Sequence, residues 1–450
     1  MKTTQRPTGM FAFVVVWTGQ IISLLASSMS QFGLTIWMYQ QTHSATAMGL
    51  VQVFFITPFL LLSPIAGIMV DRYNRKLMMM VSDLAAVTAT FGIFILFALG
   101  KLQPWHLYLA AVVNGAGNTF QWPAYSAAIS LMVPKNQLGR ANGLTSLMEA
   151  GPGVLAPALA GALMPVIGLT GLLFIDFATF FLAIGALFMV AIPQPPKSQA
   201  GSGADEGNFI QQASFGFKYI FARPSLLGLQ MIFFFGNLFH SMAFTLIAPM
   251  ILARTNQNSL AFGAVESTLA TGGIIGGLVM SAWGGFTRRV HGVLGGWMIS
   301  SVGLIWLGLG RNVSMWIPAA ILNMIVTPLI NGSNQAIWQA KVAPELQGRV
   351  FSARRLIAWL TNPVAPILAG TMADFVLEPA MITGGRLANL FDWLTGSGPG
   401  AGMGLLMIFC GLAGVIIGLA GYFIPVIRKA EQILPDFDEA PTIGSAPTLV

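Results

Sequence analysis

Long apolar runs broken by short polar stretches make up most of this chain. Crossing a bilayer takes about 20 consecutive apolar residues in a helix. Runs of that order recur at residues 11–37, 47–70, 77–99, 105–132, 141–165, 169–192, 225–252, 261–283, 291–309, 314–339, 353–377 and 402–427. They predict twelve spans and an all-α membrane protein. The first run is too long for the apolar core of a signal peptide and is read as a retained helix. Between spans 6 and 7, the segment Pro193 to Gly207 (PQPPKSQAGSGADEG) has no such run, so it divides six spans from six. The expected organisation is a bundle over 1–192, a linker over 193–224, a second bundle over 225–427 and a tail over 428–450. In the linker, Phe209, Phe215, Phe217, Tyr219 and Phe221 suit either an interfacial helix or a plain connector.

Composition agrees with that pattern. Apolar residues make up 55% of the 450 positions and charged residues only 8%, against about 25% charged in soluble domains. Charge placement then orients the spans, because cytoplasmic loops collect lysine and arginine. All but four of the 22 basic residues fall in the N-terminus and in every second connection; the exceptions are Lys101, Arg254, Arg311 and Arg386. Both termini are therefore expected on the cytoplasmic side, in a bacterial inner membrane. The net charge of +7 follows from topology, with anionic lipid as its neighbour, and calls for no nucleic-acid partner. Cys410 is the single cysteine, and no Cys/His cluster offers a metal site.

The halves repeat. A shift of 209 residues aligns Asn114 with Asn323, Gly139-Arg140 with Gly348-Arg349, Pro157 with Pro366, and Gly161 with Gly370. At a shift of 213, Arg75-Lys76 matches Arg288-Arg289. Repeats of this kind place a substrate site between the halves near the midplane.

Polar residues within the spans fall on stripes. Span 4 carries Asn114, Asn118, Gln121 and Tyr125 at spacings of one helical turn, with Trp122 beside them. Span 10 carries Asn323, Thr327, Asn331, Asn334 and Trp338. Span 1 adds Gln20, Ser23, Ser27 and Gln31, and span 7 adds Asn237, His240 and Ser241. Such stripes either line a polar cavity or hydrogen-bond between helices. Together they suggest a neutral, aromatic cavity for a bulky, largely apolar ligand. Carboxylates inside spans are costly when ionised and so are candidates for proton coupling. Glu149 on span 5, beside Gly151-Pro152-Gly153, leads, followed by Asp176 on span 6 and Glu266 on span 8. Asp374 and Glu378, at the outer end of span 11, read as solvated anchors.

The connection between spans 2 and 3, GIMVDRYNRK from Gly67 to Lys76, resembles the signature of the major facilitator superfamily, with Asn74 where that pattern has glycine. The stretches VPKNQLGRANGL (133–144) and LEPAMITGGRLANLFDWLTGSGPGAGMG (377–404) resemble the macrolide and enterobactin exporter branch of the drug:proton antiporters. The resemblance implies twelve helices in two six-helix pseudo-repeats, with spans 1, 4, 7 and 10 around the cavity. It implies a cytoplasmic gating cluster of Gly67, Asp71, Arg72, Arg75 and Lys76, which Asp83 can join. The Gly-Pro of span 5 resembles a degenerate antiporter motif. Span 4 lacks the usual arginine, so no proton relay through that span is implied.

The expected function is proton-driven export of hydrophobic compounds by alternating access, by a monomer with no cofactor beyond the proton. The alternatives are an uncoupled facilitator or lipid flippase and, in another class, a membrane sensor or enzyme on the same fold. The sequence carries no catalytic constellation such as H-E-x-x-H or a Walker loop. The glycine-rich run 396–402 follows no strand and is not a nucleotide loop.

Overall fold

In hydrocarbon no water is present to satisfy backbone N–H and C=O groups, so an apolar segment must bond internally, as a helix does. A computed structural model describes residues 9–72, 74–134, 137–190 and 209–436, and among them no strand occurs. The N half comprises α1 (Gly9–Thr42), α2 (Ala45–Arg72), α3 (Arg75–Ala98), α4 (Pro104–Met132) and α5 (Leu138–Met189). The helix α6 (Phe209–Phe221) precedes the C half. That half comprises α7 (Pro224–Arg254), α8 (Ser259–Trp283), α9 (Arg289–Leu309), α10 (Val313–Ile325), α11 (Thr327–Lys341), α12 (Pro344–Trp359) and α13 (Thr361–Met372). A π-turn (Ala373–Leu377) leads into the short α14 (Glu378–Met381) and α15 (Ala388–Thr395), followed by α16 (Ala401–Phe423) and the small α17 (Pro425–Arg428) and α18 (Ala430–Ile433).

Ten stretches among the described residues are long and apolar enough to cross a membrane, and the protein is a multi-pass membrane protein. One of them, Gly143–Met189, holds both expected spans 5 and 6. They meet at Gly168, whose φ of 63° and ψ of −175° break the helix inside α5, a conformation open to glycine without a Cβ penalty. Expected span 4 is the 29-residue α4. Spans 10 and 11 are each interrupted, at Val326 and Leu360. Asn74, the departure from the resembled signature, has a physical role: its side chain accepts the Leu77 amide and caps α3.

Each half packs first on itself. In the N half α1 lies along α5 and α2 along α4; in the C half α16 lies along α9 and α7, and α10 along α8. The C-terminal turns fold back beneath the C half. Buried Lys341 donates to the carbonyls of Glu431 (2.6 Å) and Leu434 (2.5 Å) and pairs with Asp436 (2.6 Å), while the Glu431 carboxylate accepts the Val290 amide. The described part of α6 is held likewise, with Ile220 fully buried and Arg349 of α12 over the Phe215 ring.

The halves meet toward the distal face, opposite the termini, along two seams: α5 on α8 and α13 on α2. Both seams need glycine. A Cβ on Gly263 would lie 2.4 Å from the Pro157 carbonyl oxygen, and one on Gly370 would lie 2.4 Å from the Thr46 Cα. Pro157 and Gly161 at one seam are the residues the 209 shift pairs with Pro366 and Gly370 at the other.

Candidate functional site

A cavity of about 1080 Å³ lies between the halves, large enough for a drug-sized molecule. The two seams shut its distal end. Toward the terminal face no helix pair packs extensively across the halves among the described residues.

The N half supplies most of the polar wall. Gln20, Ser23, Ser27 and Gln31 of α1 line the cavity with Asn114, Asn118, Gln121 and Tyr125 of α4. The Trp122 side chain lies outside the described residues. Helical spacing makes this arrangement, since residues three and four apart share a face. Aromatic surface comes from Phe32, Phe55, Phe180, Phe244 and Phe262. Phe32 and Phe262 stack across the halves with ring centroids 4.7 Å apart, forming a roof near the seams.

Four carboxylates also reach the cavity: Asp83, Glu149, Asp176 and Glu266. This corrects the expectation of a neutral site, which came from reading spans 1, 4, 7 and 10 alone; the acids arrive from α3, both legs of α5, and α8. Asp83 accepts from the Gln20 and Gln121 amides, each at 2.9 Å, and Gln121 also donates to Gln20 at 3.1 Å. It therefore lines the cavity: two turns into α3, it is turned toward α1 and α4. Asp176 accepts from Ser27 at 2.6 Å and Thr90 at 3.3 Å. Glu149 is exposed to the cavity, and Glu266 is enclosed by protein except where it meets the cavity.

The C-half stripe departs from expectation. Asn323 is fully buried and donates to the Ser300 carbonyl and hydroxyl of α9 at 2.9 and 3.0 Å. Trp338, also fully buried, donates to Asn334 at 3.0 Å and lies 5.3 Å beneath the Arg354 guanidinium. Asn334 is thereby buried as well. Asn331 is exposed on α11 and Asn237 half-buried on α7, neither lining the cavity. His240 sits behind the wall, stacked on Phe244 and edge-on to Trp297. Asn323 and His240 are drawn toward α9, by Ser300 and Trp297 respectively, while Asn334 and Trp338 pack inside the bundle on α11, beyond the break at Val326. From α7 it is Ser241, Phe244 and Thr245 that reach the cavity.

Of the gating cluster, the side chains of Gly67, Asp71, Arg72 and Arg75 lie outside the described residues. Lys76 donates to the Val190 carbonyl at 2.8 Å.

Sequence reasoning missed the distal latch. Asp374 is no solvated anchor: its carboxylate accepts the Ser44 hydroxyl (2.6 Å) and the Ala45 and Thr46 amides (2.9 and 2.8 Å), capping the start of α2 from the other half. An anion is favoured at a helix N-terminus, where free amides and the dipole point outward. Glu378 does the same for α16, accepting the Gly400 and Met403 amides. Arg254, at the end of α7, donates to the carbonyls of Gly310, Thr395 and Gly400 and so pins the distal connections. The acid's place at a span end was visible in the sequence; its partner 330 residues away was not.

Comparison with known proteins places this architecture. Residues 16–366 match the family model of the Major Facilitator Superfamily. Macrolide efflux protein A of Streptococcus pyogenes is 26% identical over 375 residues, covering 80% of this chain and 89% of that protein. Enterobactin exporter EntS of Citrobacter koseri is 21% identical, covering 81% and 89%. Among solved structures, a bacterial homolog of the human lysosomal transporter Spinster, inward-facing and unoccupied, superposes with a TM-score of 0.68 at 17% identity, covering 93% of this chain and 98% of that one.

Proposed function

Because the chain belongs to the major facilitator superfamily and is a transporter, we propose that it exports bulky hydrophobic organic compounds from the bacterial cytoplasm in exchange for protons, by alternating access. The observation carrying this reading is the cavity itself, lying between two repeat-related halves, walled by aromatic and apolar side chains and shut at the distal face. Macrolide and enterobactin exporters among the relatives support the direction of transport and the class of cargo. The described basic residues of the connections, such as Arg288, Arg289, Lys341 and Arg349, cluster at the terminal face, which supports cytoplasmic termini in an inner membrane. In that orientation the cavity of this monomer faces the cytoplasm.

Glu149 is the proposed proton carrier. It stands in the open part of the cavity on α5, one turn from Gly153, which packs on Ala270 of α8. A carboxylate there meets water in one state and seam-side protein in the other, so taking up a proton removes the cost of enclosing its charge. Asp176 and Glu266 line the same cavity and are the further candidates for coupling. In everted vesicles, Glu149→Gln is expected to abolish export driven by a pH gradient while protein abundance stays at the wild-type level. Unchanged gradient-dependent export by that variant would overturn the coupling role.

A further inference from the structure

We infer that the cavity takes its ligands as organic cations, with the Glu266 carboxylate as the counter-charge at its closed end. The inference rests on the transporter reading above and adds the ligand's charge. Among the described lining residues four are carboxylates and none is lysine, arginine or histidine. Two of the four are already served by the protein, Asp83 by two amides and Asp176 by two hydroxyls. Glu266 is different. It is hemmed in by protein, faces the cavity, and has no hydrogen-bond or ion-pair partner among the described residues. A carboxylate left without donors in a span is costly, and something must relieve it. A positively charged ligand does so without help from the protein.

The surroundings select what kind of cation. One helical turn from Glu266 is Phe262, stacked on Phe32 to form the roof, and Phe244 of α7 presents its ring to the same space. Aromatic faces attract a cation through the ring quadrupole, most strongly when water is excluded. The rest of the wall combines apolar side chains with the neutral polar face of α1 and α4, so the ligand that satisfies these features is a lipophilic ammonium or phosphonium with a large apolar body. Polyanions meet four carboxyl groups and no cationic side chain among the described lining residues, and any of those groups that is ionised repels them strongly in a low-dielectric site. Glu149 is the weaker anchor because it stands in the open, hydrated part of the cavity, where a pair is screened. Glu266 lies between Gly263, packed on Pro157, and Ala270, packed at Gly153. A cation bound there sits against the seam that must part for release.

The test uses the purified full chain in lipid nanodiscs, with no ion gradient, and a pair of probes equal in size and opposite in charge. Tetraphenylphosphonium is expected to bind saturably, and tetraphenylborate, measured in a separate sample because the two ions precipitate together, is expected to show no saturable binding. Glu266→Gln should raise the tetraphenylphosphonium Kd at least about tenfold, while Glu266→Asp, which keeps the charge, should stay within about threefold of wild type. Thermal unfolding of each variant checks that it is folded. Non-saturable binding of the phosphonium, saturable binding of the borate with equal affinity, or wild-type affinity in Glu266→Gln would each overturn the inference. The wild-type comparison of the two probes decides the matter even where Glu266→Gln does not fold. Intact phosphonium binding without gradient-driven export in vesicles would instead sink the coupled-export reading alone.

Discussion

The two halves share a fold and a repeat, yet they use their polar residues in opposite ways. Asn114 of α4 lines the cavity, whereas its repeat partner Asn323 is locked onto Ser300 of α9. Gln31 faces the cavity, whereas its counterpart His240 lies behind Phe244. Among the described lining residues, three of the four carboxylates come from the N half and one, Glu266, from the C half. The difference teaches that a repeat preserves backbone geometry while letting side-chain duties diverge: here one half is mainly a receptor surface and the other mainly a packed frame. Distally the division is reversed, because Asp374 of the C half reaches across to α2 and position 165, its counterpart at the 209 shift, is a proline.

Substitutions at paired positions test this contrast. The largest effect is expected from Trp338→Ala, which empties a fully buried aromatic site and should cost about 3–5 kcal/mol, seen as a marked drop in unfolding temperature in detergent. A variant of wild-type stability with altered substrate preference would put Trp338 back among the ligand contacts. Next, Asp374→Asn weakens charge-assisted bonds worth about 1.5–3 kcal/mol each and should open the distal face. In a Cys410→Ser background, a cysteine placed at Met48 should then react about tenfold faster with an impermeant thiol reagent from the distal side. An unchanged rate would mean the glycine seams alone keep that face shut. Asn323→Ala should cost about 1–2 kcal/mol by unpairing the Ser300 groups, with substrate range unchanged. The smallest effect on stability, within about 0.5 kcal/mol, is expected of Asn114→Ala, whose signature is a changed substrate profile. If the two asparagine variants behaved alike, the contrast between the halves would fail.

Much of the fold was legible because the bilayer leaves few options, and apolar length gives the spans. The N-half wall was legible too, since Asn114, Asn118, Gln121 and Tyr125 lie one turn apart and any helix brings them to one face. Spacing does not say what that face meets. Span 10 has the same periodicity as span 4, but it is interrupted at Val326, and Asn323, Asn334 and Trp338 of its stripe are buried in the bundle while Asn331 is exposed away from the cavity. The acidity of the cavity was hidden for another reason. Asp83, Asp176 and Glu266 sit on different elements, and only tertiary packing shows that they share one space. Gly168 and Asn74 lie between these extremes: glycine and asparagine are residue types suited to a helix break and a helix cap, and the backbone shows that each is used so.

The grip of Lys341 on Glu431, Leu434 and Asp436 makes residues 430–436 a rigid extension of one bundle. A fluorophore attached at exposed Gln432, within that segment, would therefore travel with that bundle alone. Paired with an acceptor at the start of α3, it becomes a ruler for the rocking of one body against the other, readable in single molecules without labelling the cavity.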